Sequence, residues 1–169
     1  MLIRRELLDR TGGVDGIRDA LIDDCALARR LRAAGGRVWL GVSELETLSV
    51  REYNTAGQIR AMIARSAFDQ LGHSALLLAG TVAGMALVFV APAALAVFGS
   101  GTARVCGAMA WAVATGVFLP AVRWHRAPLW TVLCLPLIAL FYLWATLESA
   151  VKYWSGRGGE WKGRVQDAR

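Results

Sequence analysis

Residues 74–103 read SALLLAGTVAGMALVFVAPAALAVFGSGTA and contain no charged side chain. Two further stretches without a charge follow, at residues 105–122 and 127–147. Hydrocarbon offers backbone groups no hydrogen-bond partner, so only helices and closed barrels cross a bilayer. About 20 apolar residues at about 1.5 Å each are enough for a helix to cross a core about 30 Å thick. The sequence therefore predicts three transmembrane helices, over residues 74–91, 105–121 and 128–151.

The remainder of the chain is polar and charged. Of the 169 residues, 56% are hydrophobic, and the net charge is +6. Residues 1–73 carry 11 Arg against 10 acidic residues, whereas residues 152–169 carry 5 Lys or Arg against 2 acidic residues. Basic residues next to apolar helices are typical of a membrane surface. The polar half has no basic stripe with interleaved aromatic residues, so we expect no nucleic-acid partner.

The polar half shows signals for both strands and helices. Residues 1–3 and 37–42 are apolar and are predicted as strands, and apolar residues at helical spacing predict a helix over residues 19–34. Gly35 and Gly36 should end that helix, because glycine adopts the left-handed conformation at little cost. This order of elements predicts part of an α/β domain, since the segment is too short to form a complete one.

Asp23 and Asp24 are the candidate catalytic residues of the polar half. Two adjacent carboxylates near the start of a helix have a purely structural explanation, because they stabilise the positive end of the helix dipole by about 0.3–1 kcal/mol each. The chemical alternative is general base catalysis, in which one carboxylate accepts the proton of an attacking hydroxyl. The spacing of the pair alone leaves both interpretations open.

The motifs around this pair resemble a known class of enzymes. They are RRE at residues 4–6, GG at 12–13, DDCALARRLR at 23–32 and AGGRV at 34–38. In this order they resemble the acceptor-side half of family 2 glycosyltransferases, where an acidic pair written E/D-D-x-x-L opens a helix. The resemblance implies that Asp24 is the catalytic base and that Asp23 supports it.

Four longer stretches narrow the resemblance to the hopene-associated glycosyltransferases, which are bacterial membrane proteins of the hopanoid lipid system. These stretches are residues 19–27, 64–71, 78–85 and 161–164. The similarity covers essentially the whole chain but only the C-terminal part of that family. It implies an inverting, multi-pass enzyme of the bacterial inner membrane that transfers a sugar from a nucleotide donor to a lipid acceptor of the hopanoid type.

The resemblance also implies what should lie outside this chain. In the family, a donor-binding half carries a D-x-D motif that holds a divalent metal, Mg or Mn, and no D-x-D motif precedes Asp23 here. We therefore expect a fragment or a misplaced start, with no cofactor in this chain. We also expect nucleotide sugar to bind only where the donor half is present, and the isolated chain to lack catalysis.

Residues 52–73 form the junction between the polar and apolar halves. Apolar residues recur there at helical spacing, which predicts an amphipathic helix in the membrane interface. The alternative is an ordinary connector helix packed on the domain. Membrane enzymes of the resembled family place a Q-x-x-R-W motif on such a helix, and here only Arg65 matches that motif. Arg65 is therefore a candidate for contact with the acceptor or the diphosphate.

The apolar half contains further signals. Gly80 and Gly84 should permit close helix packing, which we expect within the bundle rather than in a dimer. Pro92 is expected to end or kink the first helix. Glu148 is the acidic residue nearest a span, and we expect it to reach the interface rather than to contact a lipid hydroxyl.

The complete prediction is an α/β remnant, the acceptor half of a GT-A-type glycosyltransferase domain, joined to a membrane bundle. The remnant occupies residues 1–51, the interface helix residues 52–73, the three-helix bundle residues 74–151 and the basic tail residues 152–169. An alternative of another class is a non-enzymatic membrane adaptor that binds a lipid or a partner.

Membrane orientation presents a conflict. Sugar nucleotides are cytoplasmic, so residues 1–73 should face the cytoplasm. Three crossings then place the basic tail outside, against the tendency of basic segments to remain inside. Either one apolar segment does not cross, or the tail breaks this tendency.

Overall fold

The chain forms two compact units, Met1–Asn54 and Thr55–Arg169. The structure is a computed structural model, and it describes residues 2–18, 20–41 and 53–159.

The described part of the first unit is built from two helices and a turn. Helix α1 spans Arg5–Arg10, a 3-10 turn spans Asp15–Ile17, and helix α2 spans Asp23–Ala33. The Arg30 guanidinium donates hydrogen bonds of 2.7 Å to the carbonyls of Gly16 and Thr11. These bonds tie the loop between the helices to α2. Leu27 and Leu31 form the buried face of α2.

The predicted glycine stop after α2 is confirmed. The Gly36 N–H donates to the Leu31 carbonyl at 2.9 Å, and the Gly35 N–H donates to the Arg32 carbonyl at 3.0 Å. Gly35 has φ +80°, which glycine adopts without the steric cost that a Cβ would add. The two hydrogen bonds are those of a Schellman motif. Helix α2 begins at Asp23 rather than near residue 19 as predicted.

The prediction of an α/β, GT-A-type remnant is wrong for the residues that the structure describes. No strand occurs at residues 2–3 or 37–41, and the other residues of the two predicted strands, Met1 and Val42, lie outside the described residues. A strand is held by a hydrogen-bond ladder to a neighbour, and an apolar segment without that ladder gains nothing from strand geometry. Trp39 and Leu40 are accordingly 87% and 96% exposed.

The second unit is helical throughout its described part. Five α-helices are joined by a π-helical segment at Ala86–Val90 and a 3-10 segment at Leu129–Cys134. The helices are α3 (Ala56–Gln70), α4 (Ala75–Met85), α5 (Ala91–Phe98), α6 (Gly101–Trp124) and α7 (Leu135–Trp154). Three continuous stretches are long and apolar enough to cross a membrane, which agrees with the three predicted apolar helices. They are Ala75–Phe98, Gly101–Trp124 and Leu129–Trp154, and each is longer than predicted.

The first apolar helix continues through Pro92 instead of ending there. Proline removes one backbone donor, and its ring collides with the carbonyl four residues earlier. The chain adopts the wider π-helical geometry over Ala86–Val90, immediately before the proline. Helix α5 then runs on to Phe98.

A close helix contact forms at Gly107 rather than at the predicted Gly80 and Gly84. A Cβ on Gly107 would lie 2.6 Å from the Leu95 Cβ and 2.8 Å from the Pro92 carbonyl oxygen, so α5 and α6 cross there nearly backbone to backbone. A Cβ on Gly80 or Gly84 would meet no described atom within 4 Å. The expectation that those two glycines pack inside the bundle is therefore wrong for the described residues.

Helix α3 packs against α7 and begins at a capping box. The Thr55 hydroxyl accepts from the Gln58 N–H, and the Gln58 side chain accepts from the Thr55 N–H. Phe68 is buried between α3, α4 and α7, in one cluster with Leu78 and Ala150. The Phe68 N–H donates to the Ser149 hydroxyl at 3.1 Å, which joins α3 directly to α7.

Candidate functional site: an arginine-lined cavity beside Asp24

The acidic pair occupies the first turn of α2. The Asp23 carboxylate accepts from the Asp24 N–H at 3.0 Å, and the Asp24 carboxylate accepts from the Cys25 N–H at 2.7 Å. Both residues are exposed to solvent. Each carboxylate therefore satisfies a free N–H at the helix start and keeps acceptor capacity for a further partner.

The first unit contains a cavity of about 970 Å³, and only one of the two acidic residues lines it. Asp24 lines it, whereas Asp23 does not. The walls come from residues 2–4, α1, α2 and the chain after the glycine stop. Its lining residues are Leu2, Ile3, Arg4, Glu6, Leu7, Arg10, Asp24, Cys25, Ala28, Leu31, Gly35, Gly36, Arg37, Val38, Trp39 and Leu40.

The charged lining of this cavity combines three arginines with two carboxylates. The arginines are Arg4, Arg10 and Arg37, and the carboxylates are Glu6 and Asp24. The Arg10 side chain donates a long bond of 3.4 Å to the Glu6 carbonyl. Guanidinium groups bind phosphate and carboxylate through paired donors. A carboxylate among them is able to accept a proton from a hydroxyl placed in the cavity.

A metal-binding group is not formed by the part of the chain that the structure describes. No three His, Cys, Asp or Glu side chains come together there. The resemblance assigns the divalent metal to the donor-binding half of the family, and the charged groups that line the cavity here are Asp24, Glu6 and the three arginines.

Arg65, the third predicted site residue, belongs to the second unit. It lies on α3 and is half-buried.

A second polar cluster lies between α3 and α7, and sequence reasoning missed it. Glu148 forms ion pairs with Arg60 at 3.2 Å and with Lys152 at 2.9 Å. The Arg60 guanidinium lies 4.6 Å from the ring centroid of Trp144, at cation–π distance. The spacing of Glu148 and Lys152 by four residues signals a helical pair. Nothing in the sequence connects Arg60 to them, because that contact depends on tertiary packing.

The polar first unit and the three apolar helices of the second define a membrane protein with an exposed, arginine-lined cavity beside a carboxylate. The family model for glycosyl transferase family 21 matches residues 1–166, and the chain belongs to this family. Together these findings identify a membrane glycosyltransferase. No match was found among curated proteins or solved structures. The resemblance to glycosyltransferases is thereby confirmed at the level of the enzyme class. Family 2 and the hopene-associated group stay predictions.

Proposed function

We propose that the chain supplies the acceptor-side residues of an inverting, membrane-bound glycosyltransferase that transfers a sugar from a nucleotide donor to a lipid hydroxyl. The observation that carries the proposal is the family match over residues 1–166 together with the position of Asp24 in the cavity lining. The resemblance to hopene-associated enzymes favours an acceptor of the hopanoid type.

Asp24 acts as the general base in this proposal. Its carboxylate accepts the proton of the acceptor hydroxyl while the hydroxyl oxygen attacks the anomeric carbon of the sugar. The bond from that carbon to the diphosphate breaks on the opposite face, so the configuration inverts. Asp23, which is not part of the cavity lining, supports the helix start and its neighbour.

Two features favour a lipid acceptor over a water-soluble one. The cavity lining includes exposed apolar side chains, Trp39 and Leu40 among them. The same chain carries three helices apolar enough to lie in a membrane. A lipid acceptor would present its hydroxyl at the membrane surface, where charged side chains are able to take part in the reaction. Because nucleotide sugars are cytoplasmic, the proposal places the first unit on the cytoplasmic side of a bacterial inner membrane.

The test compares Asp24→Asn with Asp23→Asn in an assembly that also supplies the donor-binding half. General base catalysis contributes about 10²–10⁴-fold, so turnover of Asp24→Asn should fall by that factor. Asp23→Asn is the matched control, since it makes the same chemical change at the neighbouring position outside the cavity. Turnover is measured in nanodiscs with a lipid acceptor, alongside a thermal melt of each variant.

The outcome that contradicts the assignment is near-normal turnover of Asp24→Asn with an unchanged melt. The pair would then serve only the helix start, where each carboxylate stabilises by about 0.3–1 kcal/mol.

A further inference from the structure

The chain segments that enter and leave the apolar helices are in contact. The rings of His73 and Tyr153 stack with their centroids 4.0 Å apart, and the rings of Phe68 and Tyr153 meet edge to face at 5.4 Å. His73 precedes the first apolar helix, and Tyr153 is near the end of the third. The start of the first apolar helix and the end of the third therefore lie at the same end of the second unit.

Further contacts one helical turn inward show the same arrangement. Leu78 on α4 packs with Ala150 on α7 in the buried cluster around Phe68. The hydrogen bond from the Phe68 N–H to the Ser149 hydroxyl joins the end of α3 to the same turn of α7. Helices α3, α4 and α7 thus contact one another at the same end of the second unit.

Three full crossings are incompatible with these contacts. Each crossing transfers the chain to the opposite side of the membrane, so an odd number of crossings leaves the two ends on opposite sides. The ends would then be separated by the hydrocarbon core, which is about 30 Å thick. Rings whose centroids lie 4.0 Å and 5.4 Å apart lie at one depth instead. An even number of crossings is the arrangement that these contacts permit.

We infer that two of the three apolar helices span the membrane and that the chain enters and leaves on the same side. The third apolar helix dips into the bilayer or lies in it without completing a crossing. This topology places the tail after α7 on the same side as the segment that precedes α4.

The charge pattern of the sequence supports this topology independently of the contacts. Residues 152–169 carry 5 Lys or Arg against 2 acidic residues. Short basic segments next to membrane helices stay on the cytoplasmic side. With two crossings the basic tail and the polar N-terminal half share that side, and the conflict between tail charge and a cytoplasmic first unit disappears.

Cysteine accessibility in the full-length chain tests the inference. Cys25, Cys106 and Cys134 are replaced by serine, and single cysteines are introduced as Gln70→Cys and Ser155→Cys, at two exposed positions. Sealed vesicles of uniform orientation are treated with a membrane-impermeant maleimide, before and after detergent. We expect both cysteines to react together or both to be protected until detergent is added.

Ser100→Cys and His125→Cys, also exposed, report on the two connections between the apolar helices. At least one of them should show the opposite accessibility, and their combination identifies the helix that does not cross. Opposite accessibility of Gln70→Cys and Ser155→Cys would overturn the inference. So would the same accessibility at all four positions, because no helix would then cross.

Discussion

Glu148 is a carboxylate near the end of an apolar helix, and its surroundings explain why it is tolerated there. Arg60 and Lys152 each form an ion pair with it, at 3.2 Å and 2.9 Å. The Glu148 side chain is only 21% exposed, so a missing partner would leave a poorly hydrated charge. Arg60 comes from α3 and also lies over the Trp144 ring, which makes this cluster a polar attachment between α3 and α7.

Glu148→Gln should destabilise the attachment of α3. The substitution keeps the shape of the side chain but leaves two cations without their shared partner, and we expect a loss of about 1–3 kcal/mol in unfolding free energy. Denaturant unfolding in detergent micelles measures it. Asp9→Asn is the matched control, because its ion pair with Arg5 is largely exposed and should contribute nothing measurable. Equal stability of Glu148→Gln and the unmodified protein would show that the cluster is not an attachment.

At the scale of the helix pairs, the packing of α5 against α6 depends on the absence of a side chain at Gly107. Neighbours from three residues of α5 occupy the space that a Cβ would need, the nearest being the Leu95 Cβ at 2.6 Å. Two of these neighbours are backbone atoms, of Pro92 and Ala96, which cannot rotate away. A methyl group at this position therefore has to move the helices apart.

Gly107→Ala should lower stability by about 1–3 kcal/mol, the range for forcing extra volume into a packed contact. Gly116→Ala lies in the same helix, and its new Cβ would meet no described atom within 4 Å. That control should be neutral or stabilising, because alanine is the better helix former by about 1 kcal/mol. Thermal melts in the same detergent compare the two variants. If both variants shift the melt by the same amount and in the same direction, the close crossing does not form.

The secondary structure shows which elements could be predicted from sequence. The lengths of the uncharged stretches are sufficient to predict three apolar helices, and Gly35 and Gly36 mark the end of α2 because their effect is local. The predicted strands at residues 1–3 and 37–42 do not form over residues 2–3 and 37–41, because apolar composition favours a strand only where a partner strand forms a ladder. The close packing of α5 and α6 at Gly107 could not be predicted either. A G-x-x-x-G spacing shows that a helix face allows close approach, but it does not identify the helix that packs there.

At the scale of the whole molecule, the candidate site was predictable only in part. The adjacent acids and their flanking motifs point to Asp24 and Asp23 as candidate residues. The sequence does not reveal that Asp24 lines the cavity and Asp23 does not, because that depends on how residues 2–4, α1 and α2 pack. The ion pair between Arg60 and Glu148 joins α3 to α7, which are far apart in sequence.

Donor recognition is expected to need more than the residues of this chain. The chain contains no D-x-D motif, and its described residues form no group of three metal ligands. Calorimetric titration of the isolated chain in nanodiscs with nucleotide sugars, in the presence of Mg²⁺ or Mn²⁺, should give the same heats as empty nanodiscs. Micromolar affinity would contradict this expectation.

We propose that this membrane protein takes part in sugar transfer to a lipid. The most direct measurement incubates membranes containing the chain and a donor-binding domain of the resembled family with radiolabelled nucleotide sugars, and then separates lipid-extractable from water-soluble products. We predict that label from one of the sugars appears in the organic phase, and that Asp24→Asn reduces it by about 10²–10⁴-fold. Label confined to water-soluble products, or organic-phase label that is indifferent to Asp24→Asn, would contradict the account.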